Sequence, residues 1–379
     1  MTADEPSDRA ARADWAARAD AAAKAVTGQF GHRLLGIPGT WLAGVELPRA
    51  RPQLPWSEWH YWWQAHVLDC LVDAAIRERA TLPHASGAEP PSFALARRLV
   101  HTIRLRNFGA FGNLFFDDMA WLALAAGRVD ALSRDVRGAG FGAARRASDA
   151  LCRRLSGGDT RELGGGMWWS AKRDYKNTAA TGPAALCFAR RAKDGDRRRA
   201  QALVDWLYAA LFDPAQGLFL DGIHAHRGNR RQGKPDETAS LNRDVWTYNQ
   251  GPVLGALLEL GDDDPDSALQ AQGNLARAAQ LIDAIDRGLA QDGILRSDGA
   301  AGDPALFRGI LTRYLALAAR DRRLPEDARG VARRLVLATA DAAWTASAWR
   351  ESSILSARLS AWMTLEAAWS ASQTPPRSN

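Results

Sequence analysis

The sequence has little cysteine, and its three thiols are widely separated. Cys70, Cys152 and Cys187 form no C-x-x-C pair, and their number is odd in a chain of 379 residues. This pattern favours neither a zinc site nor a disulfide framework. Each cysteine lies in an apolar helical pattern, so we expect three thiols buried in the core.

Long apolar runs are absent as well. No stretch approaches the roughly 20 apolar residues that a membrane-spanning helix needs. The first ten residues are rich in charge and lack the basic start and apolar stretch of a secretory signal. The sequence therefore predicts a cytoplasmic protein without membrane contact, or a secreted one if a leader has been removed.

The motifs of nucleotide-dependent and metal-dependent enzymes are also missing. The sequence has no G-x-S-x-G, no phosphate-binding P-loop and no dinucleotide fingerprint. His224 and His226 stand close together, but no carboxylate or cysteine completes a recognisable metal-ligand spacing. We accordingly expect no metal and no organic cofactor.

The formal net charge is +6 and is carried mostly by arginine. Such a balance can attract nucleic acid. The arginines are spread over most of the helical segments, as at Arg97-Arg98 and Arg333-Arg334, rather than clustered in a known binding fold. We therefore interpret them as solvated helix faces and predict no nucleic-acid partner.

Helical periodicity, in contrast, is abundant, and strand patterns are nearly confined to residues 217–222. We predict about twelve helices, which begin near Ser7, Ser57, Ser92, Asp117, Phe141, Lys176, Asp196, Val245, Ser267, Asp303, Pro325 and Ser353. Short bland loops alternate with long loops rich in aromatic and polar residues, as expected of six helical hairpins closed into a ring. The predicted fold is therefore all-α, an (α/α)6 barrel. We expect one domain over residues 1–379, with a flexible N-terminal start and a frayed tail after about residue 371.

Tryptophan is unusually frequent, with 15 residues. Tryptophans serve either as helix-packing anchors or as flat platforms for the apolar faces of a ligand. Four of them fall within residues 56–63, and these cannot all face one core stripe of a helix. We expect part of this cluster to line a cavity, with His60, Gln64 and His66 as hydrogen-bonding groups, although core packing at a helix start is the alternative.

Two carboxylates, Asp117 and Asp118, stand side by side between aromatic residues at the start of a predicted helix. Acidic residues favour helix starts, so capping alone explains the pair. The alternative is glycoside hydrolysis, whose retaining route needs a protonated and an ionised carboxyl about 5 Å apart. Mutual repulsion and flanking phenylalanines raise one pKa, while the helix start favours ionisation of the other group. Both interpretations can hold at once.

Two further segments suggest a ligand site. Residues 164–169 join three glycines, which allow a close backbone approach, to the pair Trp168 and Trp169. Residues 246–251 place Tyr248, Asn249 and Gln250 at a helix start, where their polar groups could clamp hydroxyls. Ordinary loop turns are the alternative for the second segment. A phosphate-binding loop is the alternative for the glycine run, but no G-x-x-x-x-G-K-[ST] and no preceding strand pattern support it.

In this order, the motifs resemble glycoside hydrolase family 76, the α-1,6-mannanases. The resemblance rests on six segments: Tyr61 to His66, Asn113-x-x-x-Asp117-Asp118-x-x-Trp121, Gly165 to Trp169, Lys176-Asn177, Thr247 to Gly251, and Phe307-Arg308-Gly309-Ile310. It implies an (α/α)6 barrel and retaining hydrolysis of α-1,6-linked mannosides. It implies Asp117 as the nucleophile and Asp118 as the general acid/base.

The motifs and the resemblance together give a set of substrate-binding candidates. They are Trp63, Gln64, His66, Asn113, Trp121, Trp168, Asn177, Asp221, Tyr248, Asn249 and Gln250. Two positions depart from the family pattern, because Thr181 replaces an amide and Arg308 replaces a lysine, and both changes could alter subsite contacts. The expected partner is an α-mannoside; endo or exo action and the oligomeric state stay open.

Two other functions also stay open at this point. A carbohydrate-binding protein on the same barrel, with a decayed catalytic pair, would bind its ligand without turnover. A sugar epimerase or isomerase is the third possibility, since one fold hosts many functions. Such an enzyme would depend on a histidine base, for which His60 and His66 are the candidates.

Overall fold

The computed structural model describes residues 6–48, 58–81, 89–191, 193, 195–226, 238–262, 273–346 and 348–373. The α-helices in these ranges are α1 (Pro6–Gln29), α2 (Tyr61–Thr81), α3 (Pro91–Arg106), α4 (Phe116–Arg137), α5 (Gly142–Leu155), α6 (Thr178–Arg191), α7 (Asp196–Ala210), α8 (Thr247–Leu260), α9 (Asn274–Leu289), α10 (Pro304–Arg320), α11 (Glu326–Ala346), α12 (Ala348–Glu351) and α13 (Leu355–Ser372).

The predicted helix starts agree closely with these bounds. Ten of the twelve lie within two residues of an observed start, including those near Ser92, Asp117 and Pro325. The other two, Ser57 and Ser267, lie outside the described residues, as do most of the predicted flexible start and the tail from residue 374. The local signals of periodicity and helix capping therefore place nearly every helix.

The helices form two concentric layers. Helices α2, α4, α6, α8, α10 and α13 make an inner ring in which each packs against the next and α13 closes onto α2. The helices α1, α3, α5, α7, α9 and α11 pack against the outside of this ring. The predicted (α/α)6 barrel is thereby confirmed.

The two layers differ in how their sequences are buried. In α8, an inner helix, apolar and small residues are buried on all sides, whereas α5, an outer helix, buries one face and exposes arginines on the other. Close packing of the inner ring also needs glycine. A Cβ on Gly251 or Gly255 of α8 would lie 2.7 or 2.8 Å from the ring of Tyr314 on α10, so only glycine fits there.

All six inner helices run in the same direction, because each follows an antiparallel outer helix. Their N-terminal ends therefore meet at one mouth of the barrel. Helix N-termini carry a partial positive charge, which favours anionic groups nearby. This mouth is where the long aromatic loops of the sequence converge.

Short strands decorate the loops between helices. They are β1 (Gly31–His32), β2 (Leu42–Ala43), β3 (Tyr175–Asn177), β4 (Phe212–Asp213), β5 (Leu218–Phe219), β6 (Gly222–His226), β7 (Thr238–Asn242), β8 (Ala290–Gln291) and β9 (Ile294–Leu295). Three of them form an antiparallel sheet in the order β3-β6-β7, with Asn177 paired to Gly222 and Gly222 to Asn242. The extended piece predicted over residues 217–222 contains β5 and the first residue of β6.

A partly buried charge network joins the inner helices α2, α4 and α10 below the mouth and lines a second cavity of about 520 Å³. Arg313 donates to Asp69 and Asp73 at 2.9 Å each, and Arg128 contacts both carboxylates as well. Asp69 lies eight residues into α2, roughly 12 Å below its start. Two positive charges balance two negative ones, which is the arrangement that buried ions require.

Two further sequence expectations concern the burial of the cysteines and the presence of membrane-spanning helices. Cys70, Cys152 and Cys187 are all buried, as predicted. Within the part of the chain that the structure describes, no helix is both long and apolar enough to cross a bilayer.

Candidate active site

A cavity of about 530 Å³ opens at the mouth where the inner helices begin. Its lining consists of carboxylic acids, aromatic rings and a few other polar side chains. These residues are Glu58, His60, Tyr61, Trp62, Phe115, Asp117, Asp118, Trp121, Trp169, Tyr175, Asn177, Asp221, Tyr248, Asp303 and Phe307. A concave site with aromatic walls and convergent polar groups is typical of small-ligand binding.

Asp117 and Asp118 lie in the first turn of α4, after an N-cap residue, Phe115, that makes no side-chain capping bond. Neither carboxylate is therefore the N-cap itself, although both stand at the positive end of the helix. Both carboxylates face the cavity. The structure thus places both acids on the wall of one cavity.

Asp117 is half-buried, and one of its oxygens is held in place. The indole Nε1 of Trp169 donates to Asp117 Oδ2 at 3.0 Å, while Oδ1 has no hydrogen-bond partner. Burial raises the pKa of Asp117 to about 7, and the hydrogen bond from Trp169 opposes that rise. Asp117 therefore ionises near neutral pH.

Asp118 differs from its neighbour in environment. Asn113 Nδ2 donates to Asp118 Oδ2 at 2.5 Å. Burial first, and the negative charge of Asp117 second, raise the pKa of Asp118 well above its usual range. Ionisation of Asp117 therefore keeps the proton on Asp118, so one acid is a carboxylate while the other stays protonated.

Asp221 is a third carboxylate of the cavity, and it is held by three donors. Its Oδ2 accepts from Tyr175 Oη at 2.5 Å and from Asn242 Nδ2 at 3.2 Å, and its Oδ1 accepts from Asn249 Nδ2 at 3.0 Å. It directly precedes β6, and the pairing of Gly222 with Asn177 brings Asn177 beside it. The next position must be glycine, since a Cβ on Gly222 would lie 2.6 Å from Lys176 O.

Aromatic rings form two groups around the acids. On the side of α4 and the loop before α6, the rings of Phe115 and Trp169 lie 5.1 Å apart, and each is 37% exposed. On the side of α8 and α10, Tyr248 stacks on Phe307 at 3.9 Å, with Trp62 of α2 at 6.4 Å from Phe307. Exposed, flat rings beside polar groups suit the apolar faces of sugar rings.

The structure separates the predicted site residues into two sets. The residues that line the cavity are Asp117, Asp118, Trp121, Asn177, Asp221 and Tyr248. The residues that lie outside the lining are Trp63, Gln64, His66, Asn113, Trp168, Asn249 and Gln250. Of the tryptophan cluster in residues 56–63, Trp56 lies outside the described residues, and Trp62 is the member that lines the cavity.

Three residues of the second set hold the acids rather than face the cavity. Asn113 donates to Asp118 and Asn249 to Asp221, as described above. Trp63 Nε1 donates to Asp303 Oδ1 at 2.8 Å, and its ring stacks on His60 at 4.0 Å. The sequence identified these side chains but not their position behind the cavity wall.

The prediction that Gln64 and Gln250 bind substrate directly is not supported by their positions. Gln64 is fully buried and bonds to the backbone N and O of Ala43 at 3.1 and 2.9 Å. Gln250 is equally buried and bonds to the backbone N and O of Phe219, both at 2.9 Å. Each glutamine is the fourth residue of its inner helix and ties that helix to a neighbouring short strand.

His66 and Trp168 also lie away from the cavity. His66 packs between the rings of Trp62 and Trp121, and burial lowers its pKa to about 3, so it stays neutral. Trp168 pairs with Lys176 in a short bridge, and neighbouring residues of an extended segment point to opposite sides. Trp169 therefore faces the cavity and Trp168 the core.

The two departures from the family pattern lie outside the cavity lining too. Thr181 is buried; its hydroxyl donates to Asn177 O at 2.7 Å and accepts from Met167 N at 3.1 Å. Burial lowers the pKa of Arg308, whose Nε has no partner. Since neither Thr181 nor Arg308 lines the cavity, neither residue changes a subsite contact directly.

Sequence reasoning missed two acids of the cavity, Glu58 and Asp303. Of the two, Asp303 is the one that stands at the start of an inner helix. We interpreted it only as a helix start, because Pro304 follows it. Its carboxylate lines the cavity, and its negative charge adds to the rise in the pKa of both Asp117 and Asp118. The available signal was its position at the N-terminal end of an inner helix, on the same mouth as the acid pair.

The sequence predicts no metal site, and the side chains that could hold a metal ion can be examined in the described residues. No group of three or more His, Cys, Asp or Glu side chains suited to a metal ion occurs among the described residues. The side chain of His226, which stands close to His224 in the sequence, is not among those that the structure describes.

Comparison with known proteins places this geometry in a family. The sequence model of glycosyl hydrolase family 76 matches residues 49–373. The chain is similar to the solved α-1,6-mannanase GH76A from Salegentibacter sp. HEL1_6, with 27% identity, a TM-score of 0.75, and coverage of 94% of this chain and 99% of that chain. A search of curated proteins gives no match.

Two further structures extend the comparison. An inactive variant of the same Salegentibacter mannanase, with two adjacent aspartates replaced by alanine, was solved with α-1,6-mannotetrose; it has 26% identity, a TM-score of 0.75, and coverage of 94% and 99%. Dfg5 from Chaetomium thermophilum, solved with glucosamine, has 16% identity, a TM-score of 0.67, and coverage of 96% and 92%. The second likeness shows the fold alone.

Proposed function

The chain belongs to glycosyl hydrolase family 76, and from that premise we propose that it hydrolyses α-1,6-linked mannosides by a retaining mechanism, with Asp117 and Asp118 as the catalytic pair. The observation that carries the proposal is the unequal environment of these two adjacent acids in one aromatic cavity. Retaining hydrolysis needs one ionised and one protonated carboxyl on the same bond. Burial and mutual charge supply that division near neutral pH.

In the first step, the protonated Asp118 donates its proton to the glycosidic oxygen as the bond to the anomeric carbon breaks. Asp117 attacks that carbon and forms a covalent glycosyl-enzyme. The indole of Trp169 holds Asp117 Oδ2 in place for this attack. Asn113, bonded to Asp118, keeps the acid aimed at the leaving group.

In the second step, Asp118 has lost its proton and acts as a general base. It takes a proton from water, which attacks the anomeric carbon and releases Asp117. Two inversions at the same carbon leave its configuration unchanged. No cofactor enters either step.

The substrate class rests on the aromatic rings and on the relatives. Phe115 and Trp169, together with Trp62 and Phe307, offer flat faces for sugar rings, while Asp221 and Asn177 offer hydrogen-bonding groups for hydroxyls. The similar Salegentibacter protein is named an α-1,6-mannanase, and its variant lacking two adjacent aspartates is inactive. An adjacent aspartate pair at a helix start is the corresponding feature of this chain.

The test is the release of reducing ends from α-1,6-linked mannan and from α-1,6-mannooligosaccharides. We expect turnover by the wild type and a loss of at least about 10³-fold in Asp117→Asn and Asp118→Asn, because each variant removes a group that acts in the transition state. Asp283→Asn, which changes an exposed acid on α9, is the matched control and keeps full activity.

The same assay separates the other two functions. Binding of the oligosaccharide without any increase in reducing ends would identify a carbohydrate-binding protein. A changed sugar with an unchanged number of reducing ends would identify an epimerase. Either result with folded wild-type protein would overturn the proposal.

A further inference from the structure

Two buried cysteines lie against each other in the third hairpin of the barrel. Cys152 is in the last turn of α5, and Cys187 is in α6, the inner helix that packs against it. Their side chains are 0% and 4% exposed, and their Sγ atoms are 2.7 Å apart. Both are free thiols in the structure.

This separation is too short for two thiols that are merely packed together. Non-bonded heavy atoms settle at roughly 3.5–4.0 Å, whereas the two sulfurs of a disulfide lie about 2.0 Å apart. At 2.7 Å, the Cys152 and Cys187 sulfurs are nearer to the bonded distance. The backbones of α5 and α6 therefore already hold the two side chains close to bonding geometry.

The surroundings also favour the reactive form of one sulfur. The hydrogen bond from Cys187, followed by the positive charge of Arg191, lowers the pKa of Cys152. Arg191 is itself fixed by Asp196, with nitrogen–oxygen distances of 2.5 and 3.0 Å. A thiolate is the species that attacks disulfides.

We propose that Cys152 and Cys187 form a disulfide bond that ties α5 to α6, with a small-molecule disulfide such as oxidised glutathione as the oxidant. The exchange takes place during folding, before α5 and α6 bury the two sulfurs: the Cys152 thiolate attacks one sulfur of the oxidant and expels a glutathione thiolate. Cys187 then loses its proton and attacks the Cys152 sulfur of the mixed disulfide, which expels the second glutathione. Two protein thiols are oxidised, and one molecule of oxidised glutathione is reduced to two thiols.

The bond closes a loop that contains one wall of the cavity. Between the two cysteines lie Trp169, which holds Asp117, and Asn177, which lines the cavity. A cross-link of this span restricts the unfolded chain, and the inference does not depend on which reaction the cavity performs. The third cysteine, Cys70 of α2, bonds to Arg313 and takes no part.

The test uses the full chain, refolded from denaturant in a buffer of reduced and oxidised glutathione. The protein is then denatured again in the presence of N-ethylmaleimide, and its intact mass is measured. We expect one maleimide adduct, on Cys70, the loss of two hydrogen atoms, and a cross-linked peptide that contains Cys152 and Cys187. Three adducts at every ratio of oxidised to reduced glutathione would overturn the proposal, as would a cross-link to Cys70.

Two variants and one melting measurement complete the experiment. Cys70→Ser should take no adduct and still contain the cross-link, whereas Cys152→Ser should take two adducts. Reduction of the wild type should lower its melting temperature by about 5 °C. Cys152→Ser should melt at one temperature with and without reductant; an equal response of both proteins to reductant would also contradict the bond.

Discussion

At the scale of single residues, the hydrogen bond from Trp169 is one of the contacts that set the ionisation of Asp117. Burial raises the pKa of Asp117, whereas the backbone N–H of Asp118 and then the indole N–H of Trp169 favour the charged form. The ionisation of Asp117 therefore depends on neighbouring groups as well as on its own burial. Asn113 likewise donates a hydrogen bond to Asp118.

Replacing Trp169 by Phe should shift the pH dependence of catalysis. The variant loses the hydrogen bond to ionised Asp117, so the pKa of Asp117 rises and the acidic limb of kcat/KM moves above its expected midpoint of about 7. We expect a shift of about 0.5–1 pH unit, the effect of one partly exposed hydrogen bond to a charge. Trp168→Phe is the matched control, because the Trp168 indole N–H has no partner, and its acidic limb should stay in place.

Asp117 should also be a destabilising residue at the pH at which it acts. Its pKa is about 7 in the folded chain and about 3.8 in the unfolded chain, so the folded state binds more protons between these values. The free energy of unfolding therefore falls as the pH rises from about 4 to 7 and stays reduced above 7. Asp117→Asn removes this cost.

We accordingly expect Asp117→Asn to be inactive but more stable than the wild type by about 1–3 kcal/mol at pH 8, with little difference at pH 4. Chemical denaturation at both pH values measures this. Equal stability of the two proteins at pH 8 would show that the Asp117 carboxylate is solvated rather than buried.

At the scale of elements, Lys176 organises the loop between α5 and α6. Its side chain is fully buried, and Nζ donates to the carbonyls of Thr160, Glu162 and Gly165 at 2.8, 2.7 and 2.6 Å. Burial lowers the pKa of this lysine to about 8. Three carbonyls satisfy the three N–H donors of the ammonium group, which fixes the backbone that leads to Trp169.

Lys176→Met should remove the ammonium donor from these three carbonyls and loosen this loop. We expect a loss of about 2–4 kcal/mol in stability and roughly a tenfold loss in kcat, with a smaller change in KM, because Trp169 no longer holds Asp117 firmly. Lys176→Arg should recover part of the activity. Lys172→Met, an exposed position of the same loop, is the control; equal losses in both methionine variants would contradict a specific role of Lys176.

The helices could be predicted from the sequence, whereas the direction in which individual side chains point could not. Periodicity and caps are local signals, so starts near Asp117, Asp196 and Pro325 were placed correctly. Which of Trp168 and Trp169 faces the cavity depends on the bridge to Lys176, a contact that local pattern does not reveal. Gln64 and Gln250 were misplaced for the same reason: their partners are backbone groups of other elements.

At the scale of the whole molecule, the barrel depends on the closure of α13 onto α2. Arg77 of α2 and Glu366 of α13 form a buried bidentate pair across this contact, at 3.0 and 3.1 Å. Removing one partner of a buried ion pair leaves the other charge without compensation. The pair is therefore a specific test of ring closure.

Arg77→Ala should lower the free energy of unfolding by about 3–5 kcal/mol, because Glu366 is left buried and unpaired. Arg287→Ala breaks an exposed pair with Asp283 on α9 and should cost less than about 1 kcal/mol. Urea denaturation of both variants measures the difference. Similar values for the two would show that the α2–α13 contact does not depend on this ion pair.

The site as a whole follows from the common direction of the inner helices. Asp117, Asn177, Tyr248 and Asp303 lie far apart in the sequence, yet each stands at the start of an inner helix and so reaches the same mouth. The alternation of hairpins predicted this convergence in outline. It did not reveal Asp303, whose place in the cavity depends on the ring being closed.

The most direct test of the catalytic assignment is proton NMR of the first product that the wild type forms from α-1,6-mannotetraose. A covalent intermediate on Asp117 implies two inversions, so the reducing end should appear first as the α-anomer and only later equilibrate with the β-anomer. Asp117→Asn should give no product over the same time. Initial formation of the β-anomer, or full turnover by Asp117→Asn, would contradict Asp117 as the nucleophile of a retaining glycoside hydrolase.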